Sequence, residues 1–264
     1  APGVVETGSP ALFGADLQPL VSQWVIAISE FDESQAKLVR AANQTALGYH
    51  NDIPIVDMSG LRVRSFFWQL WLTNWNASTG QLQGGLQGSL SWFCINRWEG
   101  IRPYETTNPL TAGGFHRPAG IGALVYPPHP SSESSQPVSS IRWEMMRKGL
   151  EDVEAFQLLA TKLAEVEKLH GIGRDCEVSQ RQLHAVCCEA VVAGHTALNE
   201  LDSLIWRFPQ NLRTVFGPAS QLPIAGQDEP YTHDSTLVHE RLDAVADALV
   251  STQQCKTDDR ELTV

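Results

Sequence analysis

The sequence predicts an α/β fold through its first half and a helical unit in its last third. Short apolar segments, of which residues 24–28 are the clearest, alternate with segments whose apolar residues recur at helical spacing. Beyond about residue 138 only helical patterns follow, and they are long. Alternating strands and helices favour a parallel sheet or a (β/α) barrel, because each helix covers a face of the sheet.

The elements succeed one another regularly after an extended lead-in over residues 1–20, which is rich in Gly, Pro and Ala. Asp32 and Ser59 stand where helix N-caps belong, and Gly48 stands where a helix stops. Strands are predicted at residues 24–28, 47–50, 89–95 and 122–126. Helices are predicted at residues 33–47, 59–75, 139–169, 179–206 and 234–253.

Composition and charge narrow the classes of partner. A net charge of −11 argues against a nucleic-acid or anionic-membrane surface, because Lys and Arg are not gathered on one face. The longest apolar run, near residues 66–72, is far shorter than the roughly 20 residues of a membrane span. No cofactor is predicted. Because the chain starts at Ala1 without a signal-type segment, we expect such a segment to have been removed or to lie upstream.

The cysteines allow two interpretations. Their spacing lacks a metal-ligand motif, so no metal site is predicted, and buried free thiols are one reading of them. The other is a secreted chain in which Cys176 bridges to Cys187 or Cys188 and ties two helices together. Acceptor sequons at Asn43 and Asn76 fit secretion and N-glycosylation, so a secreted or cell-surface location is expected.

One stretch carries a family resemblance. A short strand ends at Tyr126-Pro127, and a long helix then opens with Ser140-Ile141-Arg142. The helix continues with charged and small residues at fixed positions, namely Glu144, Arg147, Gly149, Glu151 and Asp152. This stretch resembles the C-terminal signature of glycoside hydrolase family 123. Two positions depart from the family pattern, Ile121 and Pro128, which stand where the family has Asp and Gly.

The resemblance implies an architecture for the whole chain. Family 123 enzymes have a (β/α)₈ catalytic barrel, which takes about 250 residues by itself. By this resemblance the chain is a partial (β/α)₈ TIM-type barrel, containing its last strands and a C-terminal helical unit. Residues 21–137 are then the C-terminal βα units, and residues 138–264 are the long helix and helical tail. Another chain, or a cleaved N-terminal segment, is expected to complete the barrel.

The resemblance also implies a chemistry. Family 123 enzymes are retaining exo-β-N-acetylgalactosaminidases in which the 2-acetamido group of the substrate is the nucleophile. An adjacent Asp-Glu pair orients that group and acts as general acid and base. Asp32 and Glu33, just after a strand, are the candidate pair, although Asp32 also serves as a helix N-cap. Asp228-Glu229 has the right composition but follows every predicted strand.

Aromatic residues indicate where a glycan would bind. The strand Trp92 to Trp98 resembles the family's final-strand pattern, and by that match Trp92, Asn96 and Trp98 approach the pocket, with Tyr126 at the next strand. Three tryptophans at helical spacing, Trp68, Trp71 and Trp75, are predicted to be core residues.

The charged residues of the signature are predicted to be structural. Glu144, Lys148 and Asp152 lie four apart on one helix face, with Arg147 and Glu151 beside them, so charge pairs account for them. Arg142 is expected to anchor the helix to the barrel. Two functions remain open: a glycosidase-like protein, inactive as this polypeptide alone, or a non-catalytic structural or glycan-binding component of a larger assembly.

Overall fold

The fold is described from a computed structural model. It describes residues 4–7, 20–27, 38–39, 41–49, 60–82, 107–108, 117–118, 124–126, 128, 136–176, 185–204 and 235–261. The principal strands are β1 (Val4–Thr7), β2 (Val21–Ala27) and β3 (Thr45–Tyr49). The helices are α1 (Gly60–Leu72), α2 (Ile141–His170), α3 (Ala185–Glu200), a 3₁₀ turn (Leu201–Leu204) and α4 (Ser235–Glu261).

The three strands form a parallel sheet in the order β1-β2-β3. In β2, the consecutive side chains of Trp24, Val25 and Ile26 are all fully buried. Successive strand residues point to opposite faces, so both faces of this strand are covered, as the apolar run predicts. Gln44 fastens β2 to β3, since it accepts from Trp24 Nε1 at 2.8 Å and donates to the Val21 carbonyl at 2.6 Å.

The structure adds to or corrects two predictions near this sheet. Within the extended lead-in, for which no strand was predicted, residues 4–7 form a strand that pairs with β2. The helix predicted to reach residue 47 ends earlier, because Asn43 adopts a left-handed conformation (φ 53°) and β3 begins at Thr45. Asn tolerates that conformation better than most residues, so it turns the chain from helix into strand.

Helix α1 covers the sheet with a face of large apolar side chains. Val63, Phe66, Phe67 and Leu70 form one buried cluster with Trp24 and Ile26 of β2 and Ala46 of β3. Met145, Met146 and Val153 of α2 pack against the edge of this cluster. Helix α1 therefore lies between the sheet and α2.

Helix α2 has a clear sequence signal at each end. Its N-cap, Ser140, accepts from the Trp143 backbone N–H at 3.1 Å and donates to the Leu124 carbonyl at 2.5 Å. Its last turn is closed by Gly171 in the left-handed conformation (φ 61°), whose N–H donates to the Glu167 carbonyl. The predicted helix at residues 139–169 thus matches the observed one within two residues.

The C-terminal helices enclose a second core. Phe156, Leu159, Leu163 and Val166 of α2 recur at helical spacing and pack with Val191 and Leu198 of α3 and Val245 of α4. Disulfides join Cys176 to Cys188 and Cys187 to Cys255. The interpretation of these four cysteines as free thiols is therefore wrong, and the bridge predicted from Cys176 goes to Cys188.

The remaining described strands are short antiparallel pairs. They are β4 with β5 (Trp75–Asn76, Gln81–Leu82), β6 with β7 (Thr107–Asn108, Arg117–Pro118) and β8 with β9 (Val125–Tyr126, Val138–Ser139). Of the strand predicted at residues 122–126, Val125–Tyr126 is observed as β8 and Leu124 lies in a bend, while residues 122–123 lie outside the described residues. Within the described ranges no closed barrel forms, and no helix there has the length and apolarity to cross a membrane.

Candidate functional site

The signature residues meet α1 at an ion pair. Asp152 of α2 accepts from Arg64 Nε at 2.6 Å and from Arg64 Nη2 at 2.8 Å, which makes a bidentate pair. The indole N–H of Trp68 also donates to Asp152, at 2.8 Å. The Asp152 side chain is only 10% exposed. Its two oxygens are therefore engaged in positioning α1 against α2, and the predicted charge pair within α2 does not involve this residue.

The same interface contains a glycine that permits close approach. A Cβ added to Gly149 would lie 2.6 Å from Cδ2 of Phe67 and 2.7 Å from the backbone oxygen of Arg64. Real Cβ atoms do not approach other atoms so closely, so Gly149 sets how near α2 can lie to α1. Arg142, about two helical turns before it, is also buried, at 3% exposure.

The other signature charges face solvent. Arg147 pairs with Glu144 at 3.0 Å and also with Glu151, and Lys148 pairs with Glu151 at 2.9 Å. The hydrogen bond from Arg147, followed by one from Ser139, holds the pKa of Glu144 below its ordinary value. The hydrogen bond from Lys148 is the largest cause of a lowered pKa at Glu151. All three pairs lie within α2; the Arg147–Glu151 pair spans four residues, whereas the other two pairs span three.

These contacts decide the role of the adjacent carboxylates Glu151 and Asp152. A general acid must keep a proton near neutral pH and reach a substrate. Glu151 is ion-paired on the surface and its pKa is lowered, whereas Asp152 is saturated by three donors. These contacts agree with their interpretation as structural residues, which stays a prediction.

Most of the predicted catalytic and sugar-contacting residues lie outside the part of the chain that the structure describes. The candidate acids Asp32 and Glu33, and the strand residues Trp92, Asn96 and Trp98, lie outside the described residues, as does Asp228-Glu229. Tyr126 lies in β8, where it pairs with Val138, and only its backbone is described. Their roles as catalytic and binding residues stay predictions.

The three helix tryptophans form part of the core, as predicted. Trp68, Trp71 and Trp75 are 1%, 3% and 6% exposed, so none offers a face to a sugar. Trp71 stacks on Trp75 with ring centroids 5.3 Å apart and meets Phe156 edge-on. Together they join α1 to α2.

Sequence reasoning missed a buried histidine in α3. His195 is 3% exposed, and its Nε2–H donates to Glu167 of α2 at 2.8 Å. Its ring stacks over Trp75, and a Cβ on Gly80 (φ 67°) would lie 2.6 Å from its Cε1. The sequence signal is the spacing of His195 four residues after Val191 on the apolar face of α3. The pair fixes α2, α3 and the β4–β5 hairpin to one another.

The two sequons lie in turns. Asn43 is exposed in the left-handed turn before β3. Asn76 Oδ1 accepts from the backbone N–H and the hydroxyl of Ser78 and from the Thr79 N–H. Glycosylation at either position stays a prediction.

A shallow apolar groove runs along the outer face of α3. Among the described residues it is lined by Ala185, Cys188, Glu189, Val192 and Ala193, of which Glu189 is the one ionisable side chain.

Comparisons with known proteins include one distant structural likeness that can be described. No protein-family model matches the chain, and no curated protein matches it. Among solved structures, the chain is similar to a family 123 glycoside hydrolase from Clostridium perfringens, described for its hydrolysis of glycolipid glycans. The TM-score is 0.39 at 14% identity, over 98% of this chain and 35% of that one. The chain thus spans about a third of that protein.

Proposed function

We propose that the chain is the C-terminal portion of a glycosidase-like protein that resembles the retaining, substrate-assisted β-N-acetylgalactosaminidases of family 123. Its role is to supply the last units of a (β/α)₈ barrel and the helical buttress behind them. The acid pair is supplied by another chain or by a cleaved upstream segment, and this polypeptide alone has no turnover.

The observation that carries this proposal is the set of contacts that the signature residues make with α1. Gly149 and Asp152, both matched in the family signature, are the residues through which α2 meets α1. A close approach and a bidentate pair each require one residue type at one position. A signature whose residues make such contacts supports a common architecture.

Two features support a secreted or cell-surface location and an acid pair that comes from outside this chain. Disulfides persist in oxidising compartments, so the bridges at Cys176–Cys188 and Cys187–Cys255 favour a secreted or cell-surface protein. Among the described carboxylates, the one adjacent Asp-Glu pair of the signature is committed to ion pairs. A non-catalytic glycan-binding component is the second candidate function, and the altered corner at Ile121 and Pro128 favours it.

The test is hydrolysis of p-nitrophenyl N-acetyl-β-galactosaminide. We expect none from the chain alone and turnover from the natural longer protein or from the chain with its partner. In that assembly, Trp92→Ala should lower kcat/KM about tenfold, because a stacking ring is removed. Trp143→Ala is the matched control, since Trp143 is a partly exposed tryptophan (39%) on α2.

Each outcome has a distinct meaning. Hydrolysis by the isolated chain would contradict the absence of the acid pair and make Asp32→Asn and Glu33→Gln the next variants. No hydrolysis, with saturable quenching of tryptophan fluorescence by N-acetylgalactosamine, would favour the glycan-binding component. Neither hydrolysis nor binding by the assembly would overturn both functions.

A further inference from the structure

One nitrogen and two sulfur ligand atoms, each from a different helix, lie close together in the C-terminal helical unit. His170 is the last residue of α2, Cys187 lies in the first turn of α3, and Cys255 lies in α4. Their ligand atoms lie within 4.8 Å of one another. Cys187 and Cys255 are buried at 7% and 1% exposure, while His170 is partly exposed. The cluster is therefore enclosed on the sulfur side and open on the histidine side.

The imidazole of His170 lies at similar distances from both sulfur atoms. Its Nε2 lies 3.7 Å from Sγ of Cys187 and 3.5 Å from Sγ of Cys255, so it faces both sulfurs nearly equally. A tetrahedral zinc ion, with Zn–N bonds of about 2.0 Å and Zn–S bonds of about 2.3 Å, sets a nitrogen about 3.5 Å from each sulfur. The histidine thus already stands where a zinc ligand would stand, and only the two sulfurs must separate.

We propose that His170, Cys187 and Cys255 form a zinc site that is available when the Cys187–Cys255 bridge is reduced. In the bridged state the sulfurs are bonded to each other and cannot act as thiolates. In the reduced state they present two soft anionic ligands beside an imidazole, a donor set that selects Zn²⁺ over Mg²⁺ or Ca²⁺. Three protein ligands leave the fourth position to water, which reaches it past the partly exposed His170.

The chemistry balances with a dithiol as the reductant. The dithiol transfers two electrons to the bridge, the S–S bond breaks, the two sulfurs take up two protons, and the dithiol closes to its own disulfide. Zn²⁺ then displaces both thiol protons to solvent and bonds to the two thiolates and to neutral His170 Nε2. The bridge ties α3 to α4, whereas the metal would tie α2, α3 and α4 together.

The second bridge provides an internal contrast. Cys176 and Cys188 are joined in the same helical unit, and within the described residues they belong to no group of three metal-ligating side chains. Reduction there should release two thiols without creating a zinc site. The two bridges can therefore be compared in one protein.

The test measures zinc bound by the full chain before and after reduction with dithiothreitol. The dithiol is removed by gel filtration without oxygen before one equivalent of zinc is added. We expect no tight zinc in the oxidised chain, one zinc per reduced chain, two protons released on binding, and a higher thermal midpoint than in the reduced, zinc-free chain. Cobalt in place of zinc should give the charge-transfer absorption of thiolate ligands.

Matched variants separate the site from general thiol chemistry. His170→Ala should weaken zinc binding by at least about 100-fold, since even outer partners of a ligand are worth about 10- to 100-fold. His239→Ala is its control, because His239 is an exposed histidine on α4. Cys187→Ser with Cys255→Ser should abolish binding, whereas Cys176→Ser with Cys188→Ser should leave one zinc per chain.

Several results of these experiments would contradict the proposed zinc site. Zinc binding that survives His170→Ala or the Cys187/Cys255 double variant would overturn the proposal. So would equal zinc binding by the chain in urea, because unfolded cysteines also bind metal. Loss of the helical circular dichroism on reduction, without recovery on adding zinc, would overturn it too, since the helices must hold the three ligands.

Discussion

Helix α2 is held in two different ways along its length. Its N-terminal half meets α1 through a partly buried ion pair at Asp152 and a close approach at Gly149. Its C-terminal half meets α3 and α4 mainly through apolar side chains, of which Leu159 and Leu163 are fully buried, with one hydrogen bond between His195 and Glu167. The N-terminal half therefore depends more on directional contacts, and the C-terminal half more on the burial of apolar surface.

The two halves also place different demands on the sequence. A bidentate ion pair and a close contact at a glycine restrict the residue type, whereas apolar core positions accept several residues of similar volume. The stretch whose pattern resembles family 123 ends near residue 154, within the half that contains Asp152 and Gly149.

The largest expected effect comes from the directional half. Asp152→Asn should lower the free energy of unfolding by about 3 kcal/mol, because a donor replaces an acceptor and the Arg64 charge loses its partner. Leu159→Met, a swap of similar volume at a fully buried position of the other half, should cost less than about 1.5 kcal/mol. Urea unfolding followed by far-ultraviolet circular dichroism measures both.

Glu151→Gln is the control for that experiment. Glu151 is adjacent to Asp152, but its partners among the described residues are solvent-exposed residues of its own helix, so little change is expected. If Leu159→Met proved as costly as Asp152→Asn, the distinction between the two halves would be wrong.

The second-largest expected effect distinguishes a steric clash at Gly149 from backbone strain at Gly171. Helix propensity alone favours Ala over Gly by about 1 kcal/mol, yet Gly149→Ala should destabilise the chain by about 2 kcal/mol, because the Arg64 carbonyl cannot move aside cheaply. Gly171→Ala has open space around its Cβ but a φ of 61°, so only the left-handed conformation is penalised, by about 1 kcal/mol.

Unfolding free energies of the two alanine variants, compared with the parent, provide the measurement. A stabilising Gly149→Ala would show that α2 and α1 are farther apart than described. A neutral Gly171→Ala would show that the end of α2 adapts without cost.

The sequence predicted what is local and missed what is distant. The bounds of α2 follow from Ser140 and Gly171, which lie next to the helix they cap. The partner of Asp152 is 88 residues away, and spacing within the helix pointed instead to Lys148. Strand β1 was missed because its Gly- and Pro-rich surroundings resemble a loop, and a strand is decided by the neighbour with which it pairs.

The proposed zinc site also depends on contacts between distant segments, which the sequence did not predict. His170, Cys187 and Cys255 are 17 and 68 residues apart, so no short motif joins them, and only the packing of three helices brings them together. The sugar-binding residues Trp92, Asn96 and Trp98 were predicted by resemblance alone. Contacts between distant segments depend on the whole fold, which spacing does not encode.

The smallest expected effect concerns the exposed charges of the directional half. The pKa of Glu144 is lowered first by the hydrogen bond from Arg147, and the pKa of Glu151 first by that from Lys148. The unfolded chain takes up these protons near the ordinary value of 4.5, and the folded chain only at lower pH. Their contribution to stability is thus fully present above about pH 4.5 and is lost as the pH falls through the lowered values.

The double variant Glu144→Gln with Glu151→Gln isolates this contribution from other titrating groups. Urea midpoints at about pH 6 and about pH 3 should differ less in the variant than in the parent, and high salt should shrink that gap because the pairs are exposed. An equal pH dependence in parent and variant would mean that these surface pairs do not stabilise α2. In that case the directional contacts that stabilise this half would be those of Asp152 and Gly149, and the contrast with the apolar half would depend on these two residues.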